Sequence, residues 1–320
     1  VYKGSATALE HVVTPGTTNF YKFYSVNSAN YYSTGVVAAA TNAAYGANEK
    51  VNPFSYTNGM ALGSTTMGGQ GFGANYWTVD SGTWTVATNQ DPAVTDVTPK
   101  FLDMDNYPAM QGNLVYCTMS DNTAAKAQRS LSSSIATGKF FVAFQMAYQF
   151  RGADKWAGLS LLNASGTEKA FLGKGAGANY STLGIGDGSS TYWSAYDLGQ
   201  YYSSDTFGNT GNVYMVVGKY DFDTDVFQAK AYRILDGYTF PETEPTSWDV
   251  SQTMSGIDAI ARIQLNAGAT AGNPGKVFFD EIRYGTDWSH LIATTCPTWV
   301  GSNALNSAAW TAPASTWLGD

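Results

Sequence analysis

Val277-Phe278-Phe279-Asp280-Glu281-Ile282-Arg283-Tyr284-Gly285-Thr286-Asp287-Trp288 is the stretch whose reading decides the fold. Val, Ile, Phe and Tyr fit a pleated surface, and so short an apolar run, closed by a glycine turn, reads as a buried strand. Asp280, Glu281 and Arg283 interrupt the run just before the turn. Working outward, the same kind of signal recurs at 20–26, 114–119, 140–150, 157–162, 213–220, 226–234 and 259–265. Clusters of Gly, Ser, Asn and Asp separate these runs, and the 34 glycines serve the turns. Helical signal is confined to 123–131, where Ala, Lys, Gln and Arg are good helix formers, and to a turn or so near 248–254. Strands do not alternate with long helices, which excludes a parallel sheet. The expected class is an all-β sandwich.

Composition bounds the function. Of 320 residues, 44% are hydrophobic and 14% aromatic, enough for a sizeable core, whereas only 13% are charged. That is about half the usual quarter, so Ser, Thr, Asn, Gln, Gly and Tyr must build the surface. A neutral polar skin suits sugars, or copies of the same chain. Net charge is −8 and the pI near 4.7, which argues against nucleic acid, since phosphate binding needs clustered Lys and Arg. No apolar run approaches the roughly 18–20 residues of a membrane-spanning helix. A first residue of Val1 rather than Met is what a removed signal segment leaves, and a secreted or cell-surface location is expected. Cys117 and Cys296 lie 179 positions apart, which excludes a CxxC site. In an oxidising compartment a disulfide between them is expected. Closing that loop stabilises by about 4–5 kcal/mol in the chain-entropy model; the alternative is two buried free thiols.

Three zones follow: an extended, Tyr-rich arm at 1–50, the sandwich at 51–292, and a tail at 293–320. Trp299, Trp310 and Trp317 in the tail are aromatic where disordered ends are normally poor in aromatics. The tail is therefore expected to dock on the sandwich or on a neighbour.

Nine pieces of the middle zone carry a resemblance. They run from Asn52-Pro53-Phe54-Ser55-Tyr56-Thr57-Asn58-Gly59 through Gly68-Gly69-Gln70-Gly71-Phe72-Gly73 with Tyr76-Trp77, then Gly112-Asn113-Leu114-Val115-Tyr116, then Gly138-Lys139-Phe140-Phe141-Val142-Ala143-Phe144. Trp156-Ala157-Gly158-Leu159-Ser160-Leu161, residues 168–173 (EKAFLG), Leu183-Gly184-Ile185-Gly186, residues 214–222 (YMVVGKYDF) and residues 279–285 complete the order. Over about three quarters of the chain this sequence resembles the secreted bacterial concanavalin A-like (laminin G-like) jelly-roll domains. The resemblance implies two curved antiparallel sheets packed face to face, with loops gathered at the rims. The arm and the tail fall outside it.

Candidate chemistry is sparse. A β-glucanase on such a fold would carry Glu-x-Asp-x-x-Glu on one strand, since retaining hydrolysis needs two carboxylates about 5–5.5 Å apart and residues i and i+4 of a strand share a face. The close pair Glu242-Thr243-Glu244 sits between Pro241 and Pro245, a loop context, so no catalytic residues are assigned and a polysaccharide hydrolase is the least favoured reading. His11 and His290 show no convergence with other ligands. Asp221, Asp223 and Asp225 alternate, and the resemblance implies a rim calcium for such carboxylates; a plain hairpin turn uses the same residues. No other cofactor is expected. Trp156, Tyr192, Trp193, Tyr196, Tyr201 and Tyr202 offer amphipathic rings for a sugar platform. Asn163-Ala164-Ser165 and Asn179-Tyr180-Ser181 fit the N-glycosylation sequon.

Two functions are expected from these readings. The first is a non-catalytic extracellular structural subunit that self-assembles into a filament or surface layer. Residues 17–26 of the arm would then add as a strand to a neighbour's sheet edge, giving a non-closing assembly. The alternative is a carbohydrate-binding or adhesive module. The partners would be copies of the chain itself, or glycans.

Overall fold

The computed structural model describes residues 18–23, 36–41, 50–52, 54, 59–63, 72, 77–87, 113–119, 123–149, 155–175, 182–188, 192–197, 213–234, 240–269 and 275–292. Its strands are β1 (Thr18–Phe23), β2 (Val36–Thr41), β3 (Lys50–Asn52), β4 (Thr78–Ser81), β5 (Trp84–Ala87), β6 (Leu114–Met119), β7 (Thr123–Ile135), β8 (Lys139–Gln149) and β9 (Lys155–Leu162). They continue as β10 (Glu168–Lys174), β11 (Thr182–Gly186), β12 (Tyr192–Asp197), β13 (Val213–Asp221), β14 (Val226–Ile234), β15 (Val250–Thr253), β16 (Ile260–Ala269) and β17 (Gly275–Gly285). Residues Asn48–Thr294 form one compact unit, and β1 and β2 belong to a second. In that second unit β1 pairs antiparallel with β2, Phe20 opposite Ala39.

The larger unit is the expected all-β sandwich of two antiparallel sheets. One sheet has seven strands in the order β12-β11-β10-β9-β16-β7-β4; the other runs β15-β14-β13-β8-β17-β6-β5, with β3 also pairing β17. Period-two patterning drives the packing. Phe140, Val142, Phe144 and Met146 of β8 and Val277, Phe279, Ile282 and Tyr284 of β17 point into the core. They meet Leu159 and Leu161 of β9, Ile263 and Leu265 of β16, and Leu172 of β10. Trp84 and Phe144 both pack against Phe279, with centroids 5.9 and 6.1 Å away.

The deciding stretch lies inside the eight-stranded sheet, held by β8 on one side and by β6 and β3 on the other. Its polar interruption is a β-bulge between Asp280 and Arg283, with Glu281 at φ 48°. A bulge leaves a residue outside the ladder and bends the strand, and here the Asp280 carboxylate accepts the Glu281 N–H at 2.8 Å. Arg283 Nη2 lies 3.6 Å from Glu281 Oε2, both side chains buried. Burial, reinforced by Glu281, holds the Asp280 carboxyl well above its ordinary range.

Both helix expectations fail. Residues 123–131 lie in β7 and residues 250–253 form β15. In β7, Ala125, Ala127, Arg129 and Leu131 are buried, whereas Lys126, Gln128 and Ser130 are only half-buried. The alternation is a strand's, and it overrides the helix propensity of Ala, Lys, Gln and Arg, which is a weak prior once both faces pack.

Candidate functional site

The two sheets present different outer faces. Beyond the eight-stranded sheet a second apolar layer forms from Phe141, Ala143, Ala147, Met215, Val217 and Phe278. Residues 240–249 and a 3-10 turn, Trp288–His290, lie over it. Phe240 and Trp288 stack at 5.4 Å and 6° between planes, and the Trp288 indole N–H donates to the Pro241 carbonyl at 3.1 Å. Lys219 donates to Glu244 at 2.6 Å, with its ammonium 5.1 Å from the Trp248 ring centre. The Asp249 carboxylate accepts from the Ala231 N–H at 2.9 Å and pairs with Lys230 at 3.3 Å. The apolar residues of this layer are buried.

The outer face of the seven-stranded sheet is polar. In β16, Ile263, Leu265 and Ala267 enter the core, which puts Arg262, Gln264 and Asn266 on the opposite side; in β9 the same alternation puts out Trp156, Gly158 and Ser160. Register then aligns Gln128, Gln264, Ser160 and Phe171 in one cross-strand row and Lys126, Asn266, Gly158 and Gly173 in the next. Gly158 and Gly173 face each other so closely that a methyl on either would strike its partner strand's backbone.

Two hydrogen-bonded groups cross this face. In the first, the Trp156 indole N–H donates to Asn266 Oδ1 at 2.9 Å, and Asn266 Nδ2 donates to Ser160 Oγ at 2.9 Å. Ser160 Oγ donates in turn to Glu168 Oε2 at 2.9 Å, which also lies 3.4 Å from Asn266 Nδ2. Ser160 and Asn266 are buried, while Trp156 and Glu168 are half-buried. Burial raises the Glu168 carboxyl above its ordinary value, opposed by the Ser160 hydrogen bond and the charge of Lys126. In the second group, Arg262 donates to Gln128 Oε1 at 3.0 Å and to the Ala164 carbonyl at 2.8 Å. Gln128 Nε2 donates to both Asp80 oxygens, at 3.0 and 2.8 Å, and Gln264 Nε2 donates to Asp80 Oδ2 at 3.0 Å.

Asp80 and Glu168 sit on strands four steps apart, roughly 19 Å between backbones at about 4.8 Å per step, each bonded to a different group of side chains. Their placement is that of two hydrogen-bond anchors, not of an opposed acid–nucleophile pair.

Of the expected platform, Trp156 stands on this face. Tyr192, Trp193 and Tyr196 lie on β12 at the edge of the same sheet, opposite Gly186, Ile185 and Leu183 in register. Three strand steps, roughly 14 Å, separate their backbones from Trp156, and Trp156 is joined instead to Asn266. The side chains of Tyr192, Trp193 and Tyr196, and all of Tyr201, Tyr202 and Asn179, lie outside the described residues. Composition hid Asn266, Ser160, Glu168, Gln128, Gln264, Asp80 and Arg262, but the alternating polar positions of residues 262–266 and 126–130 carry a signal for four of them.

The remaining candidates resolve locally. Asp221 Oδ1 accepts the Asp223 and Thr224 N–H groups at 3.0 and 3.3 Å, and Asp225, at φ 54°, accepts the Tyr220 hydroxyl at 2.8 Å. These carboxylates build the β13–β14 turn, and no cluster of metal-ligating side chains occurs among the described residues. Asn163 Oδ1 accepts from Ser165 Oγ at 2.7 Å and the Thr167 N–H at 2.9 Å, a closed turn between β9 and β10. Cys117 is a buried free thiol, pushed up to about 12 by burial; Cys296 lies outside the described residues. His290 Nδ1 accepts the Thr286 N–H at 3.2 Å, a capping role.

The chain matches no protein-family model and no curated protein. Among solved structures it is similar to lectin I-B4 from Griffonia simplicifolia, at 12% identity and a TM-score of 0.35 over 53% of this chain and 87% of that one. Botulinum neurotoxin type C, which interacts with two ganglioside molecules, matches at 9% identity and a TM-score of 0.40, over 72% of this chain and 48% of that one. A bifunctional GH43-CE protein of Bacteroides eggerthii matches at 12% identity and a TM-score of 0.37, over 74% and 27%. The chain thus spans about half the length of the toxin chain it matches.

Proposed function

We propose that this chain is a non-catalytic carbohydrate-binding module that takes a glycan on the outer face of its seven-stranded sheet. The observation that carries this reading is the Trp156–Asn266–Ser160–Glu168 group, in which buried polar side chains hold a half-buried aromatic ring and a half-buried carboxylate in fixed relation. Sugars offer hydroxyls to such acceptors and C–H faces to such rings, and pre-bonded side chains lose little freedom on contact. The weakly charged surface fits a hydroxyl-rich partner, and an extracellular setting is part of the proposal.

Self-assembly, the first expectation from sequence, rests on the arm and tail. No observation of comparable weight supports it; among the described residues the arm strand pairs with β2.

Electrophoresis of the purified chain through gels containing soluble polysaccharides tests the proposal. Retardation by at least one polysaccharide, weakened more than tenfold in Trp156→Ala, is the expected result. A fully folded chain that no glycan retards, and that forms regular fibres instead, would overturn it in favour of the structural subunit.

A further inference from the structure

The charge and bonding on the same face narrow the ligand, a refinement that rests on the carbohydrate-binding reading. We infer that the face selects neutral glycans, that Glu168 and Trp156 are the groups that touch the sugar, and that Ser160 and Asn266 are positioning residues.

Counting bonds leads there. Asn266 uses its oxygen on the Trp156 indole and its nitrogen on Ser160 and Glu168; Ser160 accepts from Asn266 and donates to Glu168. Both are buried and have spent their donors on neighbours. What they hold in place is the half-exposed pair, and a single carboxamide links the two. The Trp156 ring offers its face, and Glu168 offers acceptor lone pairs through the oxygen that Ser160 and Asn266 do not engage, for a carboxylate accepts at about four sites in all. A carboxylate accepts and never donates, so it calls for donors from the ligand, which hydroxyls supply and sulfate or carboxylate groups do not.

The cations of the face do not contradict this. Arg262 is committed to Gln128 and the Ala164 carbonyl. Lys126, on β7, acts on the Glu168 carboxyl through its charge. Lys169, beside Glu168 in the chain, pairs with Asp258 at 3.2 Å and donates to the Gly256 carbonyl at 3.1 Å. Asp80 adds a second carboxylate. An anionic polysaccharide would therefore meet two carboxylates, with Lys169 already paired to Asp258, on a chain of net charge −8. Repulsion of that kind discriminates as effectively as new contacts.

The test is a titration of the whole chain against two panels, neutral polysaccharides (a β-glucan, a xylan, a galactomannan) and anionic ones (alginate, polygalacturonate, a carrageenan). Binding to at least one neutral polymer, at least tenfold tighter than to any anionic one, is expected. Glu168→Gln, nearly the same shape, should lower that affinity tenfold or more with the melting temperature retained. Trp156→Phe keeps the ring face but loses the N–H to Asn266 and should cost only a few-fold. Asn266→Ala should weaken binding, and Asn266→Gln should recover part of the loss, which a purely structural role would not produce. A preference for anionic polymers, or Glu168→Gln binding as well as the parent, overturns this inference while leaving glycan binding intact. Binding to neither panel overturns the underlying function as well.

Discussion

The outer faces of the two sheets have been finished in opposite ways. Over the eight-stranded sheet, Phe240 and Trp288 close an apolar layer, fastened by Trp288 to Pro241 and by Lys219 to Glu244. Over the seven-stranded sheet, amides, a hydroxyl and carboxylates bond to one another and leave an indole and a carboxylate half-exposed. Burying polar groups is tolerable only when they are hydrogen-bonded, so a polar face of this kind costs more to build than a capped apolar one. The first face is built for stability. In the proposed function, the second presents groups to a glycan.

That contrast is easiest to break with paired substitutions. Trp288→Ala should cost about 3–5 kcal/mol, the usual range for removing a buried aromatic ring, and leave glycan affinity unchanged. Trp156→Ala, half-buried on the other face, should cost far less stability and remove the binding; denaturant melts and polysaccharide titrations of the two variants read both effects. If both variants lose stability equally and binding equally, the division of labour is wrong.

Next in size is Gly158→Ala. The added methyl runs into the Leu172 carbonyl and the Phe171 ring, and overpacking of this kind costs about 1–3 kcal/mol. Here stability and binding should fall together, because β9 and β10 carry Ser160 and Glu168. A variant as stable as the parent by thermal melt would show that the two strands need not approach so closely.

A third probe uses pH. The Asp280 carboxyl is raised in the folded state by burial and by Glu281. Its contribution is therefore fully present below the unfolded value and is lost as pH rises through the folded one. Asp280→Asn should remove that loss, so the variant should gain stability relative to the parent as the buffer moves from acidic to alkaline. Urea midpoints measured across pH check the sign, and an unchanged difference would mean that Asp280 does not titrate with folding.

The smallest effect belongs to the strap. Glu244 bonds Lys219 and lies 3.5 Å from Lys139, with side-chain exposures of 11% for Lys219 and 44% for Lys139. Glu244→Gln should cost no more than about 1 kcal/mol, the range of exposed and partly exposed pairs, and high salt should shrink it. A larger, salt-independent loss would assign the strap a role beyond fastening.

The strands were legible because burial on both faces leaves apolar runs that local turn residues punctuate, as at 140–150, 213–220 and 277–284. Residues 123–131 were misread for the opposite reason: Ala, Lys, Gln and Arg favour a helix in isolation, and only pairing with β16 and β4 makes their alternation count. The site was largely hidden. Trp156 was visible as an aromatic near a turn, but Asn266 lies 110 positions away and Gln128 is 48 from Asp80. No local pattern announces such partners.

From its residues alone the chain determined an all-β sandwich and a weakly charged surface. These follow from side-chain chemistry and from periodicities that act over a few neighbours. Which face would be capped and which would display a carboxylate beside an indole was decided only by strand order and register. Those fix which distant side chains share a row, and a shift of one residue would have sent every one of them to the other side of the sheet.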